Sequence, residues 1–298
     1  MFMFGGELAA LSAALFWAIA TWIYSQSTQR FGAMPLNVIK GAIAGALLLI
    51  SLTFFGWQQG APSGHAWTWL IVSGIVGIAI GDTAYFAALR RIGPRKTLLL
   101  EALAPPLTGV LALLILNEAL SWQAALGILI ALAGIIYVLR QQSDNQQEPL
   151  MTSSGLGFGV LAAVCQATGV LMSHYALVDA EVSPLWGAFV RLSAGTGVIL
   201  LLVVLRKELS QSLIKPLFKL STKNAAVLFF AIFTGTFLAI WLQQVSLKYA
   251  DAAVAQTLMA TSPLFALPIA LIRGQRLTWR IWAGTLFAFV GVCLLIFG

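Results

Sequence analysis

The sequence predicts an all-α membrane protein, with ten transmembrane helices arranged as two inverted five-helix repeats around a central cavity. Three observations predict it. Composition is the first: 60% of the 298 residues are hydrophobic and 9% are charged, with a mean hydropathy of +0.92, too few charges to cover a soluble domain. The second is a succession of apolar runs of about 20 residues, each long enough to cross a bilayer, separated by short polar or Gly/Pro breaks. The third is self-similarity across one polar connection.

In chain order the predicted spans are Gly5 to Ser25, Pro35 to Phe55, Ala66 to Leu89, Arg95 to Leu116 and Trp122 to Leu139, then Gly155 to Tyr175, Pro184 to Leu205, Asn224 to Leu247, Ala252 to Ile272 and Thr278 to Phe297. No Lys or Arg precedes the first run, so it reads as a true span and not as a cleaved signal peptide. RQQSDNQQEPLMTSS, residues 140–154, is the long polar stretch without a hydrophobic pattern. It divides the chain into a first five-helix repeat (1–140), a linker (141–154) and a second repeat (155–298). Leu120-Ser121-Trp122 followed by Gly127 and Gly134 recurs as Leu277-Thr278-Trp279 followed by Gly284 and Gly291, Pro106 matches Pro263 at the same offset, and Pro35 has a counterpart in Pro184. Because five is odd, two such repeats in series must have opposite orientations.

The fourth span carries the densest signal. Proline has no amide hydrogen, so Pro105 and Pro106 free the carbonyls of residues 101 and 102, and the helix should bend there. In hydrocarbon a freed carbonyl and a carboxylate, Glu101, are tolerated only where they face protein or a water-filled cavity. Pro105, Pro106 and Pro263 are candidate hinges, with a static packing bend as the alternative. Lys40, Asp82, Glu101 and Arg191 are the ionisable residues at membrane depth, and their charges sum to zero. Each costs about 2.5 to 3.5 kcal/mol near the bilayer centre, so they need partners, water or a ligand.

Two readings stay open for these four. They form structural ion pairs, such as Lys40 with Asp82, or they line a binding cavity. There Arg191 and Lys40 could hold a carboxylate or phosphate, Asp82 and Glu101 an ammonium, and either carboxylate could exchange a proton and couple transport to a gradient. Candidate polar and aromatic lining comes from Trp17 and Thr21, Asn37, Tyr85 one turn from Asp82, Gln166, Trp241, Gln244 and Gln256. GAIAG at 41–45 and GIAIG at 77–81 are small-residue faces for close helix contact.

The run GDTAYFAALRRIG, Pro105 followed by LNEAL, the Gly127 and Gly134 spacing and the second copy of that unit resemble the EamA-type family of the drug/metabolite transporter superfamily. The resemblance spans essentially the whole chain. It implies ten helices around a central cavity and metabolite or amino-acid export. Three features depart from the family pattern: residues 274–276 read GQR where the family often has a Glu like Glu118, Lys40 stands where an Arg is more usual, and the loop charges point to an unexpected orientation. Lys and Arg concentrate in the odd-numbered connections, against Lys248 alone in the even-numbered ones. The positive-inside rule makes the odd connections cytoplasmic and puts both termini outside, against the usual family assignment.

Other classes lack their signatures. The net charge of +7 fits cytoplasmic loops better than nucleic-acid binding. No HExxH, GxSxG or GxxxxGK is present, which argues against an enzyme or a nucleotide-driven pump. Cys165 and Cys293 lack metal-site spacing, and neither His65 nor His174 suggests a metal or cofactor. The sequence therefore predicts a multi-pass permease of the cell (inner) membrane for a small-molecule substrate, with possible proton coupling and no set oligomeric state. An organic-anion or nucleotide-sugar exchanger of the same fold, or a channel, is the alternative.

Overall fold

The computed structural model describes residues 5–56, 60–108, 121–140, 149–207, 213, 215–250, 252–275 and 277–297, and among the described residues the regular structure is all helical. Six helical stretches are long and apolar enough to cross a membrane, and shorter apolar helices accompany them. In the first half, α1 (Gly5–Phe31) and α2 (Ala33–Phe55) are joined at Gly32, whose φ of 85° suits glycine. Next, α3 (His65–Gly74) runs without a break through a π-helical segment, Ile75–Asp82, into α4 (Thr83–Glu101), and α5 is Trp122–Arg140.

The predicted gap between residues 89 and 95 is a sharp turn inside α4 and not a loop. Gly93 there has φ 79° and ψ 171°, ahead of Pro94. The chain doubles back at that point, because α6 (Ser153–Asp179) packs its Gly155 against Ile92, its Gly159 against Leu100 beyond the turn, and its Cys165 against Gly81 before it. Residues 109–116 of the predicted fourth span, and Glu118, lie outside the described residues.

The second half follows the same plan. Ser183 accepts a hydrogen bond from the Trp186 amide and Pro184 occupies the first turn, so α7 (Pro184–Leu205) starts where the sequence predicts. Ser221 likewise caps α8 (Thr222–Ile232), which continues through π-helical Phe233–Leu238 into α9 (Ala239–Tyr249). The predicted ninth span is broken into α10 (Ala252–Met259) and α11 (Ser262–Ile272), and α12 (Trp279–Phe297) closes the chain.

Glycines expose the symmetry between the halves. On α5 and α12, Gly134 packs against Ala288 while Gly291 packs against Ala131. Both pairs are related by the sequence offset that takes Trp122 to Trp279, so the contact is two-fold and antiparallel, as inverted repeats require. The π segments repeat the pattern, with Gly77 on Cys165 and Gly169 of α6 and Gly235 on Phe16 and Ala20 of α1. Of the predicted small-residue faces, Gly41 meets Thr196, and Gly77 and Gly81 meet α6, whereas Gly45 faces open space.

Basic connections gather at one end. Gln29 donates to the Arg90 carbonyl, Arg30 to that of Lys219 and Lys96 to that of Pro149, so the connections between α1 and α2, around Gly93, before α6 and before α8 are neighbours. At the other end the Ser183 amide donates to Gly60, and Lys248 reaches the carbonyls of Glu181 and Val182.

Candidate functional site

Both halves contribute a discontinuous helix to one cavity. Helix α4 stops at Glu101, and Ala102–Leu103 form a turn before helix resumes over residues 104–108 with Pro105 and Pro106 in its first turn. The bend therefore falls one turn earlier than the proline pair, because proline is tolerated where a new helix begins. In the second half α10 stops at Met259, residues 260–261 turn, and α11 starts with Pro263 at its N-terminus. Glu101 and Met259 occupy equivalent places at the two breaks, and both face the cavity.

The cavity has a volume of about 90 Å³, room for roughly six to nine waters or a metabolite of similar size. Its polar lining is Trp17 from α1, Asp82, Glu101, Gln166 from α6, Arg191 from α7, Gln243 from α9, Gln256 from α10 and Ser262. Its apolar wall includes Ala13, Ile78, Leu98, Ile240, Pro105 and Pro263.

The charged groups are treated unequally. Lys40 is fully buried, donates to Asp82 Oδ2, and lies 5.3 Å from the centre of the Phe86 ring and 5.9 Å from that of Trp17. Among the described residues Lys40 and Asp82 form the ion pair of the membrane interior. The Trp17 indole N–H donates to Glu101 Oε2 at 2.8 Å, and Trp17 packs on Tyr85 with ring centroids 5.1 Å apart. Arg191 is only 2% exposed. Among the described residues its Nε has no hydrogen-bond partner, and its Nη1 reaches Gln243 Oε1 at 3.4 Å.

Several predicted residues support the cavity from behind. Lys40 does so through Asp82. Tyr85 shares a 2.7 Å hydrogen bond with Thr21, joining α4 to α1. Asn37 donates to the Ile78 carbonyl at 2.8 Å and to Thr83 Oγ1 at 2.9 Å, tying down backbone of the π segment. Gln244 is buried and accepts from Ser173, while Trp241 packs beside Phe237. None of these six, Thr21 included, lines the cavity, nor does the buried Pro106. Trp17, Asp82, Glu101, Arg191, Gln166, Gln256, Pro105 and Pro263 do.

Gln243 and Ser262 are the polar lining residues that sequence reading missed. The sequence shows Gln243 and Gln244 side by side, but adjacent helical residues point about 100° apart, so one can line the cavity while the other does not. Gln243 lines it one turn after Ala239, whereas Gln244 is buried against Ser173. Among the described residues no group of three or more His, Cys, Asp or Glu side chains could hold a metal ion.

Broken helices from two inverted halves, meeting at a polar cavity in the membrane interior, follow the plan by which transporter folds hold a substrate near the bilayer midplane. The sequence model of the EamA-like transporter family matches residues 4–140 and again 153–297. The chain belongs to that family. It is also similar to the uncharacterized transporter YyaM of Bacillus subtilis (strain 168), 31% identical over 114 residues, which cover 38% of this chain and 37% of that protein. The alignment thus spans little more than a third of that relative's length. A solved crystal structure shares the fold with a TM-score of 0.70 at 18% identity, covering 97% of this chain and 94% of the other.

Proposed function

We propose that this transporter is a secondary carrier of the cell (inner) membrane that exports small polar metabolites, amino acids among them, by alternating access and with proton coupling. The carrying observation is that one cavity presents Glu101 from the first half and Arg191 from the second, matching the two charges of a zwitterion. Glu101 receives the ammonium or, in its absence, a proton. Trp17 holds the carboxylate in place without neutralising it. Lys40 and Asp82 satisfy one another and shape the wall. The turns at Ala102–Leu103 and at residues 260–261 are where each half flexes, with Pro105, Pro106 and Pro263 setting the hinges.

The basic end of the molecule faces the cytoplasm in this reading, which leaves both termini outside. An anion or nucleotide-sugar exchanger relying on two cations is disfavoured, because Lys40 is already engaged by Asp82.

The test is uptake of labelled amino acids and small anions into proteoliposomes, with and without a pH gradient, for the wild type and Glu101→Gln. Gradient-driven amino-acid uptake that the substitution abolishes supports the reading. Uptake unchanged by the substitution reduces Glu101 to a structural residue, and conductance far above carrier turnover turns the protein into a channel.

A further inference from the structure

We propose that Arg191, steadied by Gln243, is a subsite for a single carboxylate, so that the molecules carried are small monocarboxylates and not amines, neutral polyols or phosphate esters. This deepens the carrier reading and rests on it for transport, though not for binding.

Helix α7 lies directly on α3 and the π segment, because a Cβ at Gly74 would come within 2.2 Å of the Arg191 carbonyl and one at Gly195 within 2.6 Å of the Gly74 carbonyl. At that separation the Arg191 side chain must cross the π segment to reach the cavity. Gly77 leaves the space, since a Cβ there would sit 3.2 Å from Nη2. Three glycines thus accommodate a cation at 2% exposure whose Nε among the described residues has no partner. A guanidinium carries five donors in a planar fork, and among the described residues its one side-chain acceptor is Gln243 Oε1, at the long distance of 3.4 Å. The remaining donors point to a ligand with paired oxygens.

Gln243 adds direction. Its oxygen accepts from Arg191, which leaves its amide Nε2 as a further donor on a residue that lines the same cavity. The amide has this sense because the opposite one would set a donor against a guanidinium. Charge then selects among anions. Asp82 and Glu101 line the same cavity, and Lys40 is taken by Asp82. A phosphate ester would bring up to two negative charges to one available cation and two carboxylates. A carboxylate brings one, which Arg191 matches. The volume of about 90 Å³ restricts the rest of the molecule to a few heavy atoms.

The experiment uses the purified full chain and four probes of one skeleton: L-alanine, propionate, L-alaninamide and ethylamine. Each is tested as a competitor of labelled L-alanine uptake in proteoliposomes and as a ligand that raises the unfolding temperature in detergent. The expected result is that alanine and propionate compete and stabilise, while alaninamide and ethylamine do neither. Arg191→Lys keeps the charge but loses the fork, and should weaken alanine by roughly tenfold. Arg191→Gln should remove both effects. The wild-type series decides alone if a variant does not fold.

Alaninamide competing as well as alanine overturns the proposal. So does a stabilisation by alanine that survives in Arg191→Gln, or the absence of any stabilisation by millimolar carboxylates. Should no probe be transported while alanine and propionate still stabilise the wild type and not Arg191→Gln, the subsite stands and the carrier reading falls.

Discussion

The two halves of the molecule are built alike and charged differently. Each has a π segment in its third helix of the repeat and a broken helix ending at the cavity, yet the first half answers its own charges and the second does not. Asp82 holds Lys40, and Trp17 holds Glu101. Across the cavity, Met259 ends the broken helix of the second half as Glu101 ends that of the first, and among the described residues the side-chain hydrogen bond of Arg191 is a long one to Gln243. In the proposed carrier the symmetric backbone supplies the moving parts, and the asymmetric side chains supply the chemistry. An inverted repeat can rock about its two-fold while still presenting one end of a substrate with a carboxylate and the other with a guanidinium.

The largest effect should come from breaking the pair that keeps the first half neutral. Lys40→Met or Asp82→Asn alone leaves a lone charge or an unanswered polar group in the interior, and should cost about 3 to 5 kcal/mol of stability. The double substitution should recover most of that, as read from unfolding in detergent. A double variant no better than the singles would show that the two do not act as a pair.

Symmetry makes the next prediction. Gly134→Val and Gly291→Val place the same methyl groups into two-fold related contacts, against Ala288 and Ala131. Each should cost about 1 to 3 kcal/mol, and the two should agree closely. A tolerated substitution at one site beside a severe loss at the other would break the comparison.

Smaller still, Asn37→Leu should cost about 1 to 3 kcal/mol, because it strips the Ile78 carbonyl of a buried donor. It should also raise hydrogen exchange within Ile75–Asp82, the segment Asn37 ties down. Trp17→Phe should be the mildest, about 1 kcal/mol for one lost hydrogen bond. Its informative readout is a changed pH dependence of uptake, since Glu101 loses the donor that holds it.

Much of this plan is legible in the sequence because bilayer crossing demands long apolar runs and closely packed helices demand small residues. Pro184 and Ser183 mark the start of α7 to the residue, and the Gly134 and Gly291 copies announce the contact that the structure makes two-fold. The intramembrane charges stand out as well, since so few residues are charged. What could not be read is phase and pairing. Gln243 and Gln244 read alike in the sequence, yet the helix turns Gln243 toward the cavity and Gln244 toward Ser173. Whether Lys40 answers Asp82 or a ligand depends on the distance between α2 and the π segment, which Gly41 and Asn37 help to set through contacts far apart in the chain. The turn inside α4 was predicted as a gap between spans because Gly93-Pro94 interrupts the pattern, although helical hydrogen bonding continues on both sides.

The central claim is that this transporter carries its substrate between the halves, held by Arg191 in the cavity that both halves line. Counterflow of labelled L-alanine in proteoliposomes loaded with unlabelled L-alanine tests it most directly. The account predicts saturable, trans-accelerated exchange in the wild type that Arg191→Gln removes while the protein remains folded. Flux that rises linearly with concentration, shows no trans-acceleration, or is unaffected by Arg191→Gln would contradict it.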